Sequence, residues 1–120
     1  MNVLIVDDAL FMRNMLKGIF EGAGFTVVGE AGDGSEAVEK YRTLRPQLVM
    51  MDIVMPEKNG IEALKEIVSE DPAACVVMCS ALGQEKLVME AVQNGARDFI
   101  VKPFKDDVVL ETVKRVTGAA

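Results

Sequence analysis

Five short segments, Val3–Val6, Thr26–Ala31, Leu48–Val54, Cys75–Cys79 and Phe99–Val101, are apolar and rich in Val, Ile and Met. A strand with one wet face alternates polar and apolar residues. Runs that stay apolar predict strands covered on both faces, as in a parallel sheet. Between them the apolar residues recur at helical steps. Met12, Met15, Leu16, Ile19 and Phe20 mark the first helix, and Ala37, Val38 and Tyr41 the second. Ile61, Leu64, Ile67 and Val68 mark the third, Leu87, Val88, Ala91 and Val92 the fourth, and Val108, Val109, Val113 and Val116 the fifth. Gly24 and Gly95 read as helix stops. Asp33 and Glu36 have the spacing of a capping box, and Pro46 and Pro72 mark turns into strands. Strand and helix alternate five times. That order predicts an α/β fold of (βα)5 type, a doubly wound five-stranded parallel sheet with helices on both faces. With 120 residues and no linker, repeat or low-complexity segment, one domain over 1–120 is expected.

Half of the residues are apolar, which argues against disorder. No apolar run approaches the ~20 residues needed to span a bilayer, and no secretory-type leader is visible. A soluble, cytoplasmic protein without membrane contact is expected. The net charge of −6 has the wrong sign for a generic nucleic-acid binder. Cys75 and Cys79 would lie ~13 Å apart along a strand, too far for a disulfide, whose Cα atoms are closer than ~7 Å. Both are read as buried thiols. The chain has no histidine. That removes His-based triads, His-ligated zinc and an internal phosphohistidine.

Function is legible where polar residues interrupt the strands. The first ends in Asp7-Asp8, the third runs through Asp52, the fourth ends in Ser80 and the fifth in Lys102-Pro103. Ligands of an open doubly wound sheet bind outside the carboxyl ends of its strands. Three carboxylates, a hydroxyl and an ammonium are therefore expected in one cleft. The second strand contributes nothing comparable, which fits an edge strand away from it. Singly, each residue has a plainer role. Asp8 suits a helix N-cap, Ser80 a cap for the fourth helix, and Lys102 an ammonium reaching solvent. Asp52 resists such a role, because its sequence neighbours are all apolar. Four strand ends together make coincidence a poor account.

Crowded carboxylates raise one another's pKa values, and a hard divalent cation removes that cost. Mg²⁺ takes oxygen ligands and is held by one or two carboxylates plus phosphate oxygens. Asp8 and Asp52 are the expected direct ligands, with Asp7 acting through water or orientation, and Mn²⁺ is an acceptable substitute. No Cys or His argues for zinc. An aspartate beside such an ion can take a phosphoryl group as an acyl phosphate. Lys102 and the Ser80 hydroxyl are placed to balance charge on the equatorial oxygens.

The motifs "VLIVDD", "VMMDIVMPEKNG", "CSA" and "FIVKPF", in that order across nearly the whole chain, resemble the receiver domain of two-component response regulators, most of all the single-domain chemotaxis regulators. The resemblance implies a flavodoxin-like sheet of order 2-1-3-4-5. It implies Asp52 as phosphoacceptor, and Asp7, Asp8, Asp52 and the Val54 backbone carbonyl as the Mg²⁺ site. Lys102 would contact the phosphoryl group, a cis peptide would join Lys102 and Pro103, and Ser80 and Phe99 would be the switch pair. Phe99 also fits as an ordinary core residue of the last strand. The implied protein is a monomeric phosphoacceptor switch rather than an enzyme with its own substrate. A CheA-like histidine kinase would phosphorylate it. Partner binding would change at the surface of the fourth helix, last strand and last helix. Implied partners are a flagellar motor switch protein and a phosphatase. Val54 and Leu82, two residues past Asp52 and Ser80, are apolar where polar residues can position an attacking water, so slow self-dephosphorylation is expected.

Other readings fit less well. A phosphorelay shuttle or a truncated receiver of a larger regulator shares every motif, and the chain's end just after the last helix favours the motor regulator or the shuttle. A phosphatase of the haloacid-dehalogenase type needs a second Asp where Val54 stands. A flavin or nucleotide module needs a Gly- or Ser/Thr-rich loop where "DDALFMRN" stands. A receiver acting only as an interaction scaffold would not need the full set of phosphorylation residues.

Overall fold

The computed structural model describes residues 1–118; the last two residues of the domain expected over 1–120 lie outside the described residues. Its strands are β1 (Asn2–Val6), β2 (Thr26–Ala31), β3 (Leu48–Asp52), β4 (Val76–Ser80) and β5 (Asp98–Val101). The helices that follow them are α1 (Leu10–Gly22), α2 (Gly34–Leu44), α3 (Gly60–Glu70), α4 (Glu85–Gln93) and α5 (Asp106–Thr117). All strand pairs are parallel, in the order β2-β1-β3-β4-β5. The flavodoxin-like (βα)5 fold is thus the one expected.

The runs without alternation have the cause inferred from them. Val3, Ile5, Leu48, Met50, Val77 and Cys79 pack with α1 and α5. Their sequence neighbours Leu4, Val6, Val49, Met51, Val76 and Met78 pack with α2, α3 and α4. Every side chain of β3 and β4 is buried. The edge strand β2 is only partly covered. Its pairing with β1 slips between Val3 and Leu4, a bulge that twists the edge and blunts it against further pairing. Cys75 and Cys79 are both free and lie on the α1–α5 side.

Four local readings are corrected. β3 stops at Asp52, two residues short of Val54, because the Gly60 N–H takes the Ile53 carbonyl at 2.7 Å and turns the chain. Val54 is left exposed. β4 is shifted one residue toward Ser80, and β5 begins one residue early at Asp98. At the start of α2, Asp33 does accept the Glu36 N–H at 2.8 Å. The Glu36 carboxylate turns to the Gly32 N–H instead of the Asp33 N–H, so the box is only half closed. The complete box is at α3, where Asn59 and Glu62 accept each other's backbone N–H. Gly24 and Gly95 do end helices, with φ of +88° and +106°. Among the described residues no helix is long and apolar enough to cross a membrane.

Candidate functional site

β1 and β3 are central strands, and their carboxyl ends lie side by side. Val6 pairs with Met51, so Asp7 and Asp52 leave the sheet at the same level. Carboxylate oxygens of Asp7, Asp8 and Asp52 all lie within 4.8 Å of one another. From β5, the Lys102 ammonium contacts Asp7 Oδ2 at 3.0 Å and Asp52 Oδ1 at 3.2 Å. The Lys102–Pro103 peptide is cis.

The three aspartates differ. Asp7 is 1 % exposed and fully engaged. Its N–H donates to the Ala31 carbonyl, and its carbonyl accepts from Arg13 Nη1 at 2.6 Å. Its Oδ1 accepts from the Ala9 N–H at 2.9 Å, and its Oδ2 faces Lys102. Asp8 is exposed and makes no side-chain hydrogen bond or ion pair among the described residues. The N-cap position of α1 belongs to Ala9, without a side-chain cap, so Asp8 is not spent on capping. Asp52 is 8 % exposed. Burial pushes its carboxyl up to about 6, the Asp7 charge adds to the rise, and Lys102 pulls it back. Burial alone would lower the Lys102 pKa, but hydrogen bonds and charge from Asp7 and Asp52 outweigh it, and the net shift is upward. The ammonium therefore stays charged at neutral pH.

This donor set suits a hard divalent cation. It offers only carboxylate oxygens, with Asp8 unpaired among the described residues, and the one ammonium that contacts the carboxylates, Lys102, leaves excess negative charge. Asp7, with each polar atom taken, is suited to orienting rather than to direct ligation. The neighbouring Cys79 thiol, in register with Asp52, is pushed up to about 12 by burial. It is protonated and inert at neutral pH.

Ser80 does not cap α4. Its hydroxyl is buried and donates to the Ile100 carbonyl at 3.4 Å, long against the ~2.8 Å optimum for a hydroxyl donor. The N-cap is Gln84, whose side chain accepts from the Ala81 N–H. Ser80 and Phe99 line one cavity of about 360 Å³, with Val88, Met89 and Val92 of α4. Phe99 is 39 % exposed. The core residue of β5 is its neighbour Ile100, which removes the plainer role for Phe99. Val54 and Leu82 are both exposed, at 55 % and 80 %.

Sequence reasoning missed three contributors. Gly60 packs so tightly on the end of β3 that a Cβ there would overlap the Asp52 carbonyl oxygen, an approach that no local pattern marks. Arg13, on α1, braces the Asp7 carbonyl. Glu30 on β2 holds Arg13 at 3.0 Å, so the second strand does contribute, indirectly. Its signal was available, since Glu30 is a lone charge at the end of an apolar strand, as Asp52 is.

A family model described as response regulator receiver domain matches residues 3–114. Among curated relatives, the chemotaxis protein CheY of Thermotoga maritima is 57 % identical over 115 residues, covering 96 % of each chain. A solved CheX–CheY–BeF3–Mg²⁺ complex from Borrelia burgdorferi matches with TM-score 0.92 and 44 % identity, over 96 % of this chain and 87 % of that one. The response regulator domain of Thermotoga maritima CheB matches with TM-score 0.90 and 41 % identity, over 100 % of this chain and 98 % of that one.

Proposed function

The chain belongs to the response regulator receiver domain family and is of the CheY type, and from that premise we propose that it is a chemotaxis switch phosphorylated on Asp52. The observation that carries this is the meeting of three carboxylates within 4.8 Å around a lysine 3.2 Å from the proposed acceptor. Asp8 and Asp52, with the Val54 carbonyl, would hold Mg²⁺, while Asp7 orients the site. When bound, the ion neutralises phosphoryl charge. The donor is a phosphohistidine of a CheA-like kinase, since these 120 residues include no histidine to carry the group. An Asp52 carboxylate oxygen bonds to phosphorus as the P–N bond breaks. The electron pair leaves with the imidazole nitrogen, which takes a proton from water. With its pKa at about 6, Asp52 is mostly ionised at neutral pH and able to attack. Lys102 binds the transferred group and the Ser80 hydroxyl donates to it.

Switching follows from how loosely Ser80 is held. A hydroxyl at 3.4 Å from its acceptor loses little by turning to a phosphoryl oxygen. The cavity it shares with Phe99 gives the ring room to move inward. The phosphorylated site favours that arrangement and shifts the population toward it. The α4-β5-α5 surface then changes for a flagellar motor switch protein, and a phosphatase resets it. We read 1–120 as one cytoplasmic receiver domain, monomeric and without nucleic-acid contact. Incubation with acetyl phosphate and Mg²⁺, followed by intact mass, tests the core of this. A phosphoryl adduct on wild type that is absent from Asp52→Asn is the expected result; an adduct retained in Asp52→Asn would overturn it.

A further inference from the structure

Asp7 and Asp8 share a peptide unit, and that unit is gripped from outside the site. Arg13 Nη1 donates to the Asp7 carbonyl at 2.6 Å, while its Nε faces Glu30 Oε1 at 3.0 Å. The other Glu30 oxygen lies 4.0 Å from Lys17, and Lys40 of α2 donates to the Glu30 backbone carbonyl. The Arg13 and Glu30 side chains are 19 % and 30 % exposed, so their contact is shielded from full solvent screening. One planar guanidinium thus joins the edge strand to the loop that presents Asp8. Only an arginine has the fork to bond both at once.

We propose that Arg13 and Glu30 are positioning residues for cation binding: together they fix the Asp7–Asp8 peptide so that Asp8 faces Asp52. The inference rests on the cation reading of the site given above. Two further considerations support the pairing. Asp8 makes no side-chain hydrogen bond or ion pair with any described residue, so its backbone is the part of it that the protein holds. An arginine beside a divalent cation would also repel it, and Glu30 cancels that charge. Partners one step removed from a metal's ligands typically change affinity by about 10–100-fold when removed.

The test is a calorimetric Mg²⁺ titration of the full chain without phosphodonor, paired with thermal melts in chelator. Arg13→Ala is expected to weaken Mg²⁺ binding about tenfold. Glu30→Ala should weaken it too, and Arg13→Ala/Glu30→Ala should be no weaker than Arg13→Ala alone, because the two act as one unit. Arg13→Lys, which reaches only one partner, should fall between wild type and Arg13→Ala and covers the case in which Arg13→Ala does not fold. Arg42→Ala removes a surface pair with Glu70 far along α2 and should leave Mg²⁺ binding unchanged. Variants that melt earlier yet bind Mg²⁺ as wild type does would make the bracket merely structural and overturn the inference. Additive losses in the double variant would overturn it as well. If wild type binds Mg²⁺ and Asp8→Asn does not, while Arg13→Ala matches wild type, the inference alone fails. If wild type binds none, the cation reading fails with it.

Discussion

Gly60 touches Asp52 backbone to backbone: its Cα hydrogen faces the Asp52 carbonyl, and there is no room for a Cβ. The first residue of α3 is therefore fitted against the end of the strand that presents the proposed phosphoacceptor. Ala is the better helix former by up to about 1 kcal/mol, so propensity alone favours Gly60→Ala. The overlap is with rigid backbone, and overpacking of that kind costs about 1–3 kcal/mol. Net destabilisation is expected in urea unfolding, together with slower Asp52 phosphorylation. A stabilised variant would show that the loop yields freely.

Asp52 carries a stability cost that depends on pH. Its carboxyl rises from 3.8 to about 6 on folding, so between those values the folded chain binds more proton than the unfolded one. Stability therefore falls as pH rises through that window, and above about 6 the penalty is complete. Asp52→Asn removes it. After allowance for solvent screening, the metal-free variant should be more stable than wild type by about 1–2 kcal/mol at pH 7. The difference should close below about pH 4. Denaturant melts in chelator across pH 3.5–8 read this directly, and a gap that widens at low pH would contradict it.

Lys102 stands between Asp7 and Asp52, where it does for charge part of what a cation would do. Removing it as Lys102→Met should move the two functions in opposite directions. Mg²⁺ binding should tighten, since a competing positive charge is gone. Phosphorylation from acetyl phosphate should drop, since nothing replaces the ammonium at the transferred group. The same variant should raise the Asp52 pKa above its wild-type value. Calorimetry and adduct mass measured on one preparation separate the effects. Parallel losses in both would indicate collapse of the site.

Tyr41 offers a test away from the site. Its hydroxyl donates to Asp71 Oδ2 at 2.7 Å, and burial, then Asp71, raises its pKa from 10.0 to about 12. The stabilisation is present below pH 10 and is lost as pH rises through about 12. The chain has one tyrosine and no tryptophan, so tyrosinate absorbance reads this group alone. Its midpoint should lie near 12. Tyr41→Phe should cost about 1 kcal/mol at neutral pH. A midpoint near 10 would mean the phenol is not held as described.

The alternation of elements and the polar strand ends were legible because each rests on local pattern. Unbroken apolar runs report burial on two faces, and Asp52 stood out against apolar neighbours. What escaped is what depends on close approach between segments distant in sequence. Nothing in "NG" reveals that Gly60 abuts Asp52. Nothing in a helical Arg13 reveals a bond to the Asp7 carbonyl. Glu36 turned to Gly32 because the entering chain bends to present that N–H, a feature of path rather than spacing. Strand ends shifted by one or two residues where a loop contact took over from the ladder.

Val54 and Leu82 bear on how long a phosphoryl group lasts. Both are exposed, and each follows by two residues a group proposed to touch it, Asp52 or Ser80. Hydrolysis needs a water held in line with phosphorus, and such a water is held by hydrogen bonds. Two apolar side chains offer none, and their bulk disfavours an ordered water between them. Val54→Asn with Leu82→Glu supplies an amide and a carboxylate on the same exposed positions, where they need no repacking of the core. The double variant should lose its phosphoryl group faster than wild type by about tenfold, below the ~10²–10⁴-fold of a full general acid or base because these groups only position the water. Decay is followed by loss of adduct mass after the donor is removed. Equal or slower decay in the variant would mean that some other part of the site sets the lifetime.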